Sequence, residues 1–210
     1  MRTLVIETAS EACSIALFEG GEIITHDHRV IGRGHAEALV PMIGALPEKG
    51  RAARILVSLG PGSFTGVRIG LATARALGFA WRAEVLGYPT LALVAAEGQA
   101  AHPQTPVTVC MNGGHGEWFV ADFSADGLPL ADAASLTPDA ARTHPRCSFL
   151  AGNRAAALAA LDPALPAEVI DCVPDARSVL LLPAALLTGN LVPIYGRGPD
   201  ATPMAEWVKA

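Results

Sequence analysis

The feature that most constrains this 210-residue chain is the unit spanning residues 54–80. It reads Arg-Ile-Leu-Val-Ser-Leu, then Gly60-Pro-Gly-Ser-Phe-Thr-Gly66, then an alanine- and glycine-rich run from Val67 to Ala80. The aliphatic start predicts a strand over 54–59, the glycines a loop over 60–66, and the remainder a helix over 67–80. A strand that feeds a glycine loop into a helix exposes backbone N–H groups at the helix N-terminus, which suits an anion. It is not a P-loop, since no Gly-Lys-Ser/Thr follows, and its spacing is not that of the dinucleotide fingerprint. A tight turn with Ser63 or Thr65 as helix cap is the alternative.

The helix carries a second pattern. Gly66, Gly70, Ala74 and Gly78 recur every four residues and so share a face. Each interior glycine costs about 1 kcal/mol against alanine, so close approach by another element has to offset it. That element is either the chain's own sheet or a helix of another subunit. Arg68, Arg75 and Arg82 form a second stripe, seven apart, readable as a solvated face or as a contact for acidic groups.

Around this unit the pattern predicts strands over 3–7, 12–18 and 22–29, the last two joined by Glu19-Gly20-Gly21-Glu22, a tight-hairpin signal. A helix follows over 36–46, then the 54–80 unit, a short strand over 84–88 and a helix from 90 to about 100. Three strands followed by alternating helices and strands make an α/β fold with a mixed sheet. This is the order of one lobe of the actin/Hsp70/sugar-kinase (ribonuclease-H-like) superfold. A weaker unit begins near Pro106, with strands over 107–111, 117–123 and 147–151, a helix over 153–161, a strand stub at Val169-Ile170, and a helix over 177–187 kinked by Pro183. The prolines at 103 and 106 divide the chain into a lobe of residues 1–103 and a smaller, degenerate lobe of residues 104–210 with an irregular tail from 191.

Composition limits the function classes. A net charge of −5 argues against stand-alone nucleic-acid binding, so any RNA is expected to be held by another subunit. With 51% hydrophobic and 17% charged residues, the chain has a large core or keeps apolar surface for a partner. Cys13, Cys110, Cys147 and Cys172 stand far apart, with no CxxC pair, as expected of isolated thiols in a reducing, cytoplasmic compartment. Residues 1–7 run straight into a strand pattern rather than a signal peptide, and the apolar run 179–187 is too short to span a bilayer. His26, Asp27, His28 and His35 lack a completing cluster for a metal, and no Gly-x-Ser-x-Gly marks a serine nucleophile.

The run Gly-Pro-Gly-Ser-Phe-Thr-Gly-Val-Arg-Ile-Gly from Gly60 to Gly70, with Ala72-Thr73-Ala74 behind it, resembles the TsaB (YeaZ) family. So do Leu4-Val-Ile-Glu-Thr8, Glu11-Ala-Cys-Ser-Ile-Ala-Leu17, His35-Ala-Glu-Ala-Leu-Val-Pro-Met-Ile43, Gly152-Asn153 and Pro193-Ile-Tyr-Gly-Arg197. The resemblance is strong over residues 1–100 and patchy beyond. It implies the actin/Hsp70-like fold and a non-catalytic dimerisation subunit of the bacterial tRNA threonylcarbamoyladenosine complex. The partner would be TsaD, the paralogue that transfers the threonylcarbamoyl group to N6 of adenosine 37 in tRNAs reading ANN codons. TsaE, an ATPase, completes the set.

The resemblance further implies pairing through the first two helices, and this tips the glycine stripe towards an interface. Partner contacts are then expected from His35, Leu39, Met42 and Ile43, and from Gly66, Arg68, Gly70, Ala74 and Gly78. An anion or nucleotide is expected at Glu7, Thr8, Gly62, Ser63, Gly152 and Asn153, with ATP or ADP at the interface with TsaD and no metal. A homodimer is expected when TsaD is absent. The chain departs from the family where Glu7 replaces an aspartate, in the turn Asn112-Gly-Gly-His-Gly-Glu117, and in a short connection over 47–53. The competing reading is an independent ATP-dependent phosphotransferase of the same superfold.

Overall fold

The structure, a computed structural model, describes residues 1–164 and 167–196. The first sheet contains β1 (Arg2–Glu7), β2 (Ala12–Glu19), β3 (Glu22–Val30), β4 (Arg54–Ser58) and β5 (Glu84–Tyr88), in the order β3-β2-β1-β4-β5. The first three strands form an antiparallel meander, and β4 and β5 add in parallel. Glu19 pairs with Glu22 across the turn. Gly20 and Gly21 there take φ of 62° and 93°, which makes the predicted hairpin possible.

Helices α1 (His35–Ala45) and α2 (Phe64–Trp81) cover one face of this sheet. Leu39, Met42, Ile43 and Leu71 pack there on Leu4, Ile6, Ile15 and Val57. The opposite face, with Val5, Ala16, Phe18 and Leu56, packs on α3 (Thr90–Ala101). Every residue of α3 from Thr90 to Ala96 is buried, as suits a helix that is apolar all round. It lies between two sheets.

The second sheet contains β6 (Val107–Gly114), β7 (Glu117–Phe123), β8 (Ala134–Leu136), β9 (Phe149–Ala151) and β10 (Glu168–Ile170), in the order β10-β9-β6-β7-β8. Its meander β6-β7-β8 is antiparallel, and β9 and β10 are parallel to β6. This is the first sheet repeated strand for strand, so the second half is a topological copy of the first. The copy is shortened: α4 (Pro138–Arg142) and α5 (Ala155–Ala160) stand where α1 and α2 do, with 5 and 6 residues against 11 and 18.

Some elements differ from expectation. The α2 helix begins at Phe64, because Ser63 accepts a hydrogen bond from Gly66 N at 3.2 Å and caps it there. The helix expected over 177–187 is instead two 3₁₀ turns, Ala176–Leu181 and Ala184–Leu186, separated by Leu182 and Pro183. Proline lacks the N–H needed to continue through that point. Neither β8 nor α4 was anticipated, since both are too short to show a period. The last half of the chain also returns to the first sheet: Thr188 bridges Gly87, and Ile194 N donates to Leu59 O at 2.7 Å. Arg197 lies outside the described residues.

Candidate functional site

The turn between β1 and β2 is the meeting point of the candidate anion residues. Glu7 ends β1 fully buried, and its carboxylate accepts from Ala9 N at 2.7 Å and from the Tyr88 hydroxyl at 3.3 Å. Burial pushes the Glu7 carboxyl up to about 7, against these hydrogen bonds. The same burial, and the neighbouring Glu7, raise the Tyr88 phenol well above its ordinary value. Thr8 donates from Oγ1 to Gly66 O at 2.8 Å and is also fully buried.

The glycine loop closes over this turn. Ser63 N donates to Ala9 O at 2.6 Å, and a Cβ at Gly62 would lie 2.1 Å from that same carbonyl. From the second sheet, Asn153 Nδ2 donates to Glu11 Oε1 at 2.5 Å, while Asn153 Oδ1 accepts from Asn112 N at 2.9 Å. Gly152 holds the left-handed φ of +113° that lets its backbone pass Cys110 O, which a Cβ would approach to 2.4 Å. The structure thus gathers Glu7, Thr8, Gly62, Ser63, Gly152 and Asn153 around one turn. Gly62 and Ser63 close on Ala9, Asn153 on Glu11 and Gly152 on Cys110, while the Glu7 and Thr8 side chains turn inward. A buried carboxyl that meets a phenol and an amide can hold a proton; it presents no oxygen to solvent.

Beside Glu7 lies a group of polar residues that sequence reasoning missed. Glu97, on α3, accepts from Asp175 N at 2.6 Å, and burial raises its carboxyl to about 8. Asp175 accepts from Ser14 Oγ at 3.3 Å and from Arg177 Nη2 at 2.6 Å, with His28 Nδ1 3.4 Å away. Burial alone would raise Asp175, but the Arg177 guanidinium and N–H overrule it and hold the carboxylate below its usual range. One signal for this cluster was available: Glu97 is the lone charge in an otherwise apolar helix.

The partner-facing residues require a correction. His35, Leu39, Met42 and Ile43 point into the core, and His35 Nε2 sits 3.2 Å from Ala12 O. Gly66, Gly70, Ala74 and Gly78 are buried against the chain's own first sheet. A Cβ at Gly66 would lie 2.0 Å from Thr8 O, one at Gly70 2.4 Å from Thr8 Oγ1, and one at Gly78 2.4 Å from Val85. The glycine stripe is therefore where α2 lies down on β1, β4 and β5, and the loss in helix propensity is offset inside the molecule.

Of the expected contacts only Arg68 is exposed. Its guanidinium stacks 3.5 Å above the Phe64 ring and donates to Tyr195 Oη at 3.2 Å. The outward faces of the two helices carry Ala36, Val40 and Gly44 on α1 and Ala72, Ala76, Phe79 and Ala80 on α2. Phe79 is 91% exposed and Val40 60%. Arg68 and Arg75 are the only charges on α2, and neither is acidic. Among the described residues no group of three His, Cys, Asp or Glu side chains is placed to hold a metal ion.

The family model for tRNA N6-adenosine threonylcarbamoyltransferase, TsaD, matches residues 23–147, more than half of the chain. The tRNA threonylcarbamoyladenosine biosynthesis protein TsaB of Escherichia coli (strain K12) is 34% identical over 131 residues, covering 60% of this chain and 56% of that protein. The protein of the same name from Haemophilus influenzae is 41% identical over 81 residues, covering 36% of this chain and 34% of that protein. The chain thus matches about half the length, or less, of these curated relatives. YeaZ from Pseudomonas aeruginosa superposes with a TM-score of 0.77 at 25% identity, over 92% of this chain and 99% of that one. With its two mixed sheets in actin/Hsp70-like order and its glycine loop closed on the first strand, the chain belongs to the TsaB/YeaZ family.

Proposed function

We propose that this chain is a non-catalytic subunit that binds a TsaD paralogue and activates it for threonylcarbamoyl transfer to N6 of adenosine 37 in tRNAs reading ANN codons. The names carried by its relatives support the pathway. The observation that carries the docking role is the outward side of α1 and α2, where Val40, Ala72, Ala76 and Phe79 are exposed with Arg68 and Arg75 among them. Small residues allow another pair of helices to approach closely, and an aromatic standing free beside them supplies an anchor.

In this reading the chain contributes no reacting group. Glu7 is enclosed under Tyr88, so ATP or ADP, where it binds, sits at the interface with TsaD rather than on this chain's own first strand. TsaE joins the pair, tRNA is reached through the complex, and the assembly works in the cytoplasm. Without TsaD the same face serves a homodimer. Among the described residues no helix is long and apolar enough to cross a membrane.

The test is co-purification of the tagged chain with TsaD from the same cell, with and without TsaE and ATP. Phe79→Glu and Val40→Glu should each reduce the TsaD recovered at least tenfold while the chain stays folded. Full recovery with both variants would rule this face out.

A further inference from the structure

Glu7, Ser14 and His28 stand directly opposite one another across β1, β2 and β3, in the registers Glu7–Ser14 and Ser14–His28. Residues so paired project from the same face of a sheet. Here it is the face that Val5, Ala16 and Phe18 turn towards α3. A polar row thus crosses an apolar wall, and Glu97 of α3 and Asp175 of the returning chain meet at it. The docking role proposed above uses none of these residues.

Every backbone N–H from Asp175 to Ser178 is engaged here. Asp175 N donates to Glu97 Oε1 at 2.6 Å and Ala176 N to Ser14 Oγ at 3.0 Å. Arg177 N donates to Asp175 Oδ1 at 2.9 Å and Ser178 N to Asp175 O at 3.0 Å. The acceptors come from α3, from β2 and from the turn itself. Because this turn follows β10 of the second sheet, it fastens the second half of the chain to the first.

The charges at this fastening do not balance. Asp175 has Arg177, whose Nε and Nη2 reach Oδ2 at 2.9 and 2.6 Å, and His28 Nδ1 lies 3.4 Å from that same oxygen. Glu97 is met instead by the amide of Asp175 and the hydroxyl of Ser178. Around it stand Asp175 and Arg177 in the turn, Glu7 on β1, Tyr88 on β5, and Cys172 just ahead of the turn. The second sheet meets α3 with Val107, Val109, Met111, Phe149 and Ala151. Glu7, Glu97 and Asp175 thus share one enclosed region, while the Arg177 guanidinium lies against Asp175. An ionised Glu97 would face the other two as like charges with little water between them. Burial, with Asp175 nearby, raises its carboxyl to about 8, so it keeps a proton in the fold.

We propose that residues 175–178 are a proton-controlled clasp between the two halves of the chain, shut while Glu97 carries its proton and released when that proton is lost. The turn is the part that yields. Glu7 and Ser14 lie in a five-stranded sheet, whereas the turn is a short 3₁₀ stretch with Arg177, Leu180 and Leu181 exposed. The hold of Glu97 is complete in mild acid and is lost as pH climbs from the ordinary carboxyl value of 4.5 to about 8. Asp175 acts in the opposite sense: its carboxylate is held low, so its hold is lost on strong acidification. Release frees residues 175–178 from β2 and α3 and leaves the contacts of Thr188 with Gly87 and of Ile194 with Leu59 in place.

The experiment is hydrogen exchange of the full chain at single-residue resolution, from about pH 5 to about pH 9, expressed as protection factors so that the intrinsic acceleration with pH cancels. The amides of residues 175–178 should lose protection by up to about tenfold per pH unit and level off beyond about pH 8, as one proton is released on opening. Urea below the unfolding transition should not change these values, because a local opening exposes little surface. Glu97→Gln, which keeps an acceptor oxygen, should make the protection of these amides independent of pH over this range. Ser14→Ala, which leaves Glu97 in place, should lower it about fivefold or more at every pH and keep the slope. Exchange of residues 175–178 only together with Val5 and Val109, through the same urea-sensitive unfolding, overturns the proposal. A slope that persists in Glu97→Gln also overturns it, since the controlling proton then lies elsewhere.

Discussion

Asn153 Nδ2 donates to Glu11 Oε1 across 2.5 Å, joining the loop after β9 to the turn between β1 and β2. The bond links the two repeated sheets: the loop after β9 is the counterpart of the glycine loop after β4, which closes on the same β1–β2 turn through Ser63 N and Ala9 O. Asn153 also accepts from Asn112 N, so one amide ties together three segments of chain. Asn153→Ala should cost about 2 kcal/mol, since a hydrogen bond to a charged group is lost in a part-buried setting. Urea denaturation of Asn153→Ala, Glu11→Ala and the double variant should show the two losses to be strongly non-additive. Simple additivity would mean that the contact carries no coupling.

Gly66→Ala should destabilise the protein although alanine is the better helix former. The new Cβ would meet Thr8 O at 2.0 Å, and a backbone carbonyl in the fully buried residue just after β1 has little room to yield. Overpacking of this kind costs about 1–3 kcal/mol or more and outweighs the gain of about 1 kcal/mol from removing glycine. Thermal melts should place Gly66→Ala below the parent. A higher midpoint would show that α2 does not press on β1.

On the outer face the expectation reverses. Ala76→Glu and Phe79→Glu, at exposed positions, should leave unfolding free energy within about 0.5 kcal/mol of the parent. Comparing these melts with TsaD recovery separates a docking surface from a fold determinant.

Stability should decline as pH rises from about 5 to about 8.5. The Glu7 and Glu97 carboxyls are raised by burial to about 7 and about 8, from an ordinary value of 4.5. Such groups contribute fully below their unfolded value, and that contribution is lost as pH climbs through the folded values. Asp175, held low, acts in the opposite direction, and its contribution is lost on acidification. The decline should be on the order of a few kcal/mol. Glu97→Gln, which keeps an oxygen to accept from Asp175 N, should flatten it. Denaturation curves across this pH range would show an unchanged slope if Glu97 were charged in the fold.

Cys13 and Cys110 should resist thiol reagents until the chain unfolds. Both are fully buried, and burial pushes them up to about 11 and about 12, far from the reactive thiolate. Prompt labelling of either in the native protein would contradict this packing.

Much of the first sheet was legible because its signals are local. The Gly20-Gly21 hairpin, the β-branched strands and the 60–66 loop each declare themselves within a few residues. The second sheet was harder, because a strand as short as Ala134–Leu136 has too few residues to show alternation. That Glu7, Glu97 and Asp175 come together was illegible for a different reason. The three lie far apart in sequence and meet only because α3 is laid between the sheets.

The glycine stripe of α2 marks the line between the two kinds of information. Sequence alone determined that Gly66, Gly70, Ala74 and Gly78 share one face, that this face is smooth, and that something must approach it closely. Helical periodicity fixes which residues are neighbours around an axis but not which way the axis is rolled. Both sides of α2 carry small residues, the outer one with Arg68 and Arg75 among them, so side-chain size alone could not choose between them. Tertiary packing chose: Thr8 and Val85 fit against the glycines at distances no side chain could share, and Ala72, Ala76 and Phe79 were left on the outside.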